Sequence, residues 1–413
     1  MSCGGKDVLL SVDEALSAVT ERVASLPAKT VALAETLGLV IAEDVSADLD
    51  LPPFDKSLVD GYAIRAGDLT APGQKFRVVD EIAAGQMPNR SLGPGEAALI
   101  MTGAPLPGGA DAVVMLENAN REGDEVVFEP TGIPAGRNRL SRGLEMRLGE
   151  VVIRRGETLN APRLGLLASV GRARVSAIPR PLVVVVPTGD ELVEPDQVPG
   201  PGQIRNSNVS VLCALARSAG ATVEARPIAP DSPELLRDAL TDALSADVVL
   251  VTGGVSAGNR DLVPSTLEAL GVERVFHKIR LKPGKPLWFG VGPSREGRPG
   301  PVVFGLPGNP VSGVVGFLLL VKPALDILAG RPPRSGASLE GKLTRPFVHS
   351  GDRPTYHPSR LLPERAGLAG VEPLDWAGSA DLRTVARCDG FALFPAGDRS
   401  YEAGEIVRFL PLG

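Results

Sequence analysis

Cysteine, histidine, aromatic residues and positive charge are all scarce in this chain. The three cysteines, Cys3, Cys213 and Cys388, lie far apart in 413 residues. That excludes a disulfide framework and a Cys-x-x-Cys metal site, and it points to a reducing cytoplasm. The three histidines, His277, His349 and His357, share no metal-ligand spacing and no Ser/His/Asp pattern. They read as surface or packed side chains. A formal net charge of -6 argues against a nucleic-acid binder, which would carry a basic face. Long apolar runs are missing too: the run at 314–321 is far too short to cross a bilayer. No basic segment followed by an apolar core opens the chain, so neither a signal peptide nor a membrane attachment is expected.

Turn residues, by contrast, are plentiful. Forty-eight glycines and 38 prolines imply several β-rich parts, and 413 residues imply two to four domains. Ser11-Val12-Asp13-Glu14 is a capping-box pattern. It opens a helix that carries Val12, Leu16, Val19 and Val23 on one face and ends before Pro27. This N-terminal part (1–26) is expected to pack on a larger body, and a short helical stretch is expected at 31–38. Short apolar runs at 76–82, 97–101, 112–116 and 126–128 mark an inserted β-rich domain at 49–148. Residues 149–180 carry a strand at 151–153 and a helix at about 161–170, and are expected to pack with 27–48. Residues 331–336 look like a linker. Short strands resume after 340, so 331–413 reads as a C-terminal β-barrel.

The centre of the chain, 181–330, reads as a doubly wound α/β domain. Its strands are the unbroken β-branched runs at 182–186, 247–251 and 302–306, each followed by a glycine or acidic turn. Such runs suit strands buried on both faces of a parallel sheet. Asn206-Ser207-Asn208 offers caps for a helix stopping at Gly220, and Ser232-Pro233 opens another. Ligands of open parallel sheets sit beyond the carboxyl ends of the strands, where all the special turns fall. A polar, phosphorylated ligand is expected there.

Each turn has a possible chemistry. Amides around Gly253, Gly254 and Ser256 can converge on an anion, although a tight turn with no ligand has the same composition. Lys282 and Lys285 flank the stiff Pro283-Gly284 turn and would neutralise phosphate as point charges. Glu191, Asp231 and Asp261 follow strand ends, where carboxylates can hold Mg2+; helix capping is the competing reading, strongest for Asp231. The segments at 52–63 and 101–105 are dense in turn residues, and Asp60-Gly61 alone is an ordinary turn signal.

Taken together these segments resemble the molybdopterin molybdenumtransferase family, which includes the bacterial MoeA proteins and the gephyrin E domain. The resemblance rests on Pro52-Pro53-Phe54-Asp55 through Asp60-Gly61-Tyr62-Ala63, Met101-Thr102-Gly103-Ala104, Thr188-Gly189-Asp190-Glu191-Leu192 and Ile204-Arg205-Asn206-Ser207-Asn208. It continues through Thr252-Gly253-Gly254-Val255-Ser256, Lys282-Pro283-Gly284-Lys285-Pro286 and Leu306-Pro307-Gly308-Asn309-Pro310.

It implies a Mg2+-dependent, cytoplasmic transferase that inserts molybdenum from molybdate into adenylylated molybdopterin and releases AMP. It implies an elongated homodimer in which Asp60 and Thr102 face Glu191, Asp261 and the lysines across the subunit interface. Pro307, Gly308 and Asn309 would bind substrate, with Arg353 and Ser379 as further wall residues. Molybdopterin adenylyltransferase and apo-molybdoenzymes would be partners. Lys56, Leu58-Val59 and Glu145 depart from the family's usual residues. Two rivals stay open: adenylylation of molybdopterin itself, and a peptide-binding scaffold.

Overall fold

The computed structural model describes residues 9–130, 132–255, 262–295, 298–334, 336, 339–363 and 367–413. Two compact units emerge. One comprises 9–31, 38–42 and 176–413, the other 32–37 and 43–175.

Runs of valine build the centre of the first unit. Six strands form its sheet: β1 (Leu182–Pro187), β2 (Thr222–Ala225), β3 (Val248–Thr252), β4 (Glu273–His277), β5 (Trp288–Val291) and β6 (Val302–Leu306). Their spatial order is β2-β1-β3-β6-β5-β4. Val183, Val185, Val248 and Leu250 face one core, shared with Leu212 and Ala216 of α1 (Asn208–Ser218) and with Ala15 and Val19 of the helix Val12–Arg22. Val184, Val186, Val249 and Val251 face a second core with α2 (Pro233–Ala243) and α3 (Leu262–Ala269). Burial on both sides is why these strands show no polar alternation. Fully burying one such side chain contributes about 1.5–3 kcal/mol.

The expected parallel sheet holds for β2, β1, β3 and β6. The β4–β5 and β5–β6 pairs are antiparallel. A parallel pair needs a crossover of a dozen or more residues, and neither short connection allows one. The capping box at Ser11 and Glu14 is formed in both directions, at 3.2 and 2.7 Å. Ser232, in contrast, makes no side-chain cap bond at the start of α2, although Pro233 is the first helical residue as expected.

After β6 the chain is helical from 310 to 328, with a π-helical segment at Phe317–Val321. This stretch, longer than the 314–321 run seen in the sequence, is long and apolar enough to cross a membrane. However, 89% of its most apolar window is buried inside the protein, so it is the core helix of this domain.

The C-terminal strands Leu339–Leu343, Gly370–Pro373, Thr355–Leu362, Gly390–Phe394 and Ile406–Pro411 close into a barrel. His349 and His357 are buried, and His277 is half-buried with its Nε2 at 2.9 Å from Val255 O. His357 stands edge-on to Phe347, Trp376 and Phe394, and its Nε2 donates to Leu374 O at 2.7 Å. Burial lowers its pKa to about 4. The unfolded chain therefore takes up this proton first as pH falls. The stability held above pH 6.5 should decline by about 3 kcal/mol by pH 4. Urea midpoints at pH 7 and pH 5 should fall further for the wild type than for His357→Gln; parallel declines would contradict this.

In the second unit the sheet order is Ala112–Met115, Gly61–Ile64, Glu96–Ile100, Lys75–Ile82, Glu125–Phe128, Ala119–Glu122. Gly61, read above as turn chemistry, lies inside a buried strand. A Cβ there would fall 2.0 Å from Val114 O, so the glycine serves close strand approach. The helical stretch expected at 31–38 is one 3-10 turn, Leu33–Glu35, preceded by a strand over Lys29–Ala32. β-branched Thr30 and Val31 favour that strand.

Candidate active site

The register of β1, β3 and β6 places their ends side by side: Pro187 pairs with Thr252, and Thr252 with Leu306. The strand order reverses between β1 and β3, which makes this the topological switch point of the sheet. Beyond it lies a cleft of about 390 Å³, lined by Thr188, Glu191, Asn208, Thr252–Val255, Pro286 and Pro307–Asn309 among others. The cleft thus gathers Glu191, Gly253, Gly254, Pro307, Gly308 and Asn309 from the sequence expectations.

Local geometry shows what each turn does. Gly253 has φ +94°, and a Cβ there would meet Thr188 O at 2.4 Å. Its own N–H donates to Leu306 O at 3.2 Å. Gly253 therefore supplies space rather than the free donor expected of it. The Glu191 carboxylate folds back over Gly189, whose φ of +136° is a backbone conformation that favours glycine there. Thr188 Oγ1 is buried without a partner among the described residues.

Asn208 was expected to cap α1, but its side chain does something else. Nδ2 donates to Thr252 Oγ1 at 2.8 Å and to Gly308 O at 2.7 Å, tying the turns after β3 and β6 together. The sequence points to Asn208 only as a cap and to Thr252 only as part of a turn, not to either as a site side chain. An Asn-Ser-Asn string signals a helix start, and only the fold brings Gly308 within its reach.

The 282–286 turn leaves the sheet edge and is pinned to the barrel: Lys282 N–H donates to Pro354 O at 3.0 Å, and Tyr356 N–H to Lys282 O at 2.8 Å. Lys285 lines a cavity of about 510 Å³ with Arg280, Arg353, Asp352 and Leu9. Arg353 is held there by its Nη1 bond to Leu281 O, 3.1 Å. Three cations against one largely exposed carboxylate make this wall basic, and Arg280 joins it unforeseen. Lys282 is exposed and lines neither space. Ser379 reaches the β6 turn, accepting from Asn309 Nδ2 at 2.9 Å.

The carboxylate set expected for a metal is not assembled among the described residues, which hold no cluster of three potential ligands. Asp231 is exposed and lines no part of the cleft; its N–H donates to Asp190 Oδ1 at 3.1 Å. Ser256 and Asp261 lie outside the described residues. Glu191 is the carboxylate that fits. Mg2+ needs only one or two protein carboxylates when waters and phosphate oxygens complete its shell.

In the second unit, Asp60 Oδ1 accepts from the Thr102 N–H and hydroxyl, both at 2.7 Å. These two bonds, the backbone one first, hold the exposed Asp60 carboxyl below its ordinary range. The departures Lys56 and Glu145 face each other, Nζ to Oε1 3.7 Å. A partly exposed pair of this kind contributes at most about 1 kcal/mol, but it accounts for both residues at once.

Comparison with known proteins follows the same division. Residues 10–171 match the family model for the MoeA N-terminal region, 184–327 the probable molybdopterin binding domain, and 340–412 the MoeA C-terminal region. The chain is 34% identical over 406 residues to the molybdopterin molybdenumtransferase of Staphylococcus aureus strain Mu50, covering 97% of this chain and 95% of that one. The Bacillus subtilis enzyme of the same name is 33% identical over 410 residues, covering 97% and 94%. A solved molybdopterin biosynthesis MoeA protein from Pyrococcus horikoshii OT3 superposes with a TM-score of 0.75 at 28% identity, covering 97% and 99%. A second solved Pyrococcus MoeA protein reaches 0.82 at 32% identity, covering 98% and 99%. With three consecutive family regions matched and relatives aligned nearly end to end, the chain belongs to the molybdopterin molybdenumtransferase family.

Proposed function

We propose that this protein is a molybdenum cofactor biosynthesis transferase that inserts molybdenum from molybdate into adenylylated molybdopterin and releases AMP. The observation that carries this reading is the strand-end cleft around Glu191; a separate basic cavity of Lys285, Arg280 and Arg353 meets it in the chain where Lys285 is followed by Pro286. Both reactants are anions, one a pyrophosphate ester and the other an oxyanion. The turns after β3 and β6 hold the phosphates, and the guanidinium and ammonium groups draw in the oxyanion. Cleaving the pyrophosphate bond leaves negative charge on the departing AMP, and preorganised donors of the cleft would stabilise that charge without reorganising. A Mg2+ held by Glu191 would neutralise phosphate charge when bound.

We also propose a cytoplasmic homodimer in which the exposed Asp60–Thr102 pair of one copy serves the cleft of another; sedimentation of the purified chain tests the assembly. Full-length similarity, including the flanking regions at 10–171 and 340–412, favours molybdenum insertion over simple adenylylation. The test is incubation with adenylylated molybdopterin, Mg2+ and molybdate. AMP and active cofactor should appear together, and AMP without molybdenum incorporation would defeat the assignment. In this assay Lys285→Met should raise the KM for molybdate about tenfold, with a smaller effect on kcat. An unchanged KM would remove Lys285 from the site.

A further inference from the structure

We propose that the Thr252 hydroxyl is a ligand-binding donor, and that Asn208 is the positioning residue that aims it. The inference rests on reading the cleft as a phosphate site. Gly308 O can only accept, so the Asn208 group facing it must be the amide nitrogen. The same nitrogen faces Thr252 Oγ1, which therefore accepts. An sp3 hydroxyl that accepts one bond still has its own proton to place. Among the described residues that proton has no acceptor, and Thr252, only 2% exposed, lines the cleft.

With no acceptor for it among the described residues, that buried proton is available to a ligand in the cleft. The Gly253 amide next to it is already spent on Leu306 O, so the hydroxyl supplies what that amide cannot. Thr188 Oγ1, also buried without a partner, lines the same floor. The occupant is an anionic oxygen acceptor such as a phosphate oxygen.

Calorimetric titration with AMP and with inorganic pyrophosphate, each with Mg2+, tests the inference. A hydrogen bond to a charged acceptor is worth roughly tenfold or more in affinity. Thr252→Val keeps the shape and should weaken binding about tenfold, whereas Thr252→Ser should stay within about twofold of wild type. Asn208→Asp reverses the polarity, because a carboxylate takes the Thr252 proton and repels Gly308 O. It should weaken binding more than Asn208→Ala, which only frees the hydroxyl to rotate. On the Thr252→Val background, Asn208→Ala should cost little further affinity.

A merely structural role would lower the melting temperature of the Asn208 variants and leave the Thr252→Val affinity unchanged. That result overturns the inference. Failure of the wild type to bind either probe would instead defeat the phosphate-site reading, and this inference with it.

Discussion

Glu191→Gln should lower turnover by on the order of a hundredfold while leaving the melting temperature within a few degrees of wild type. The side chain lines the strand-end cleft, folded over Gly189, and glutamine has nearly its shape without its charge. No hydrogen bond in the described structure depends on that carboxylate, so the fold has little to lose. The loss should fall on kcat and kcat/KM together, since the charge matters most where the pyrophosphate bond is breaking. Wild-type turnover in this variant would remove Glu191 from the chemistry.

The second large effect concerns stability. Asp326, only 4% exposed, accepts from Arg331 Nε at 3.0 Å and from the Arg334 N–H at 3.3 Å. Arg331 in turn donates to Ala219 O at 2.8 Å, at the end of α1. Residues 331–334, read from the sequence as a linker, are therefore bolted to the helix that precedes them. Asp326→Ala strands the guanidinium of Arg331, whose side chain is 15% exposed, without its counter-charge. Breaking a buried pair from one side costs about 3–5 kcal/mol, far more than the pair contributes against apolar replacements. The urea midpoint should drop accordingly. Glu273→Ala, which breaks the more exposed Arg22 pair, should cost less than about 1 kcal/mol. Equal, small shifts for both variants would contradict the account.

Legibility of the sequence followed the physics of each segment. β1, β3 and β6 are readable because both of their faces are buried, which demands uninterrupted β-branched residues. The Ser11–Glu14 cap is readable because its reciprocal bonds are local. Gly61 misleads because the neighbour that requires a glycine, Val114 O, is far away in sequence. Asn208 misleads in the same way: its partners are 44 and 100 residues distant. The basic wall shows only one of its cations, Lys285, in a motif of its own. Arg280 and Arg353 reach it through the pinning of the 282–286 turn to the barrel, which no local pattern announces.

The most direct test of the central claim is a crystal structure of the protein with AMP and Mg2+. The phosphate should lie in the cleft beyond β1, β3 and β6, within hydrogen-bonding distance of the 252–255 turn and with Glu191 beside the metal. A phosphate bound elsewhere, with that cleft empty, would contradict it.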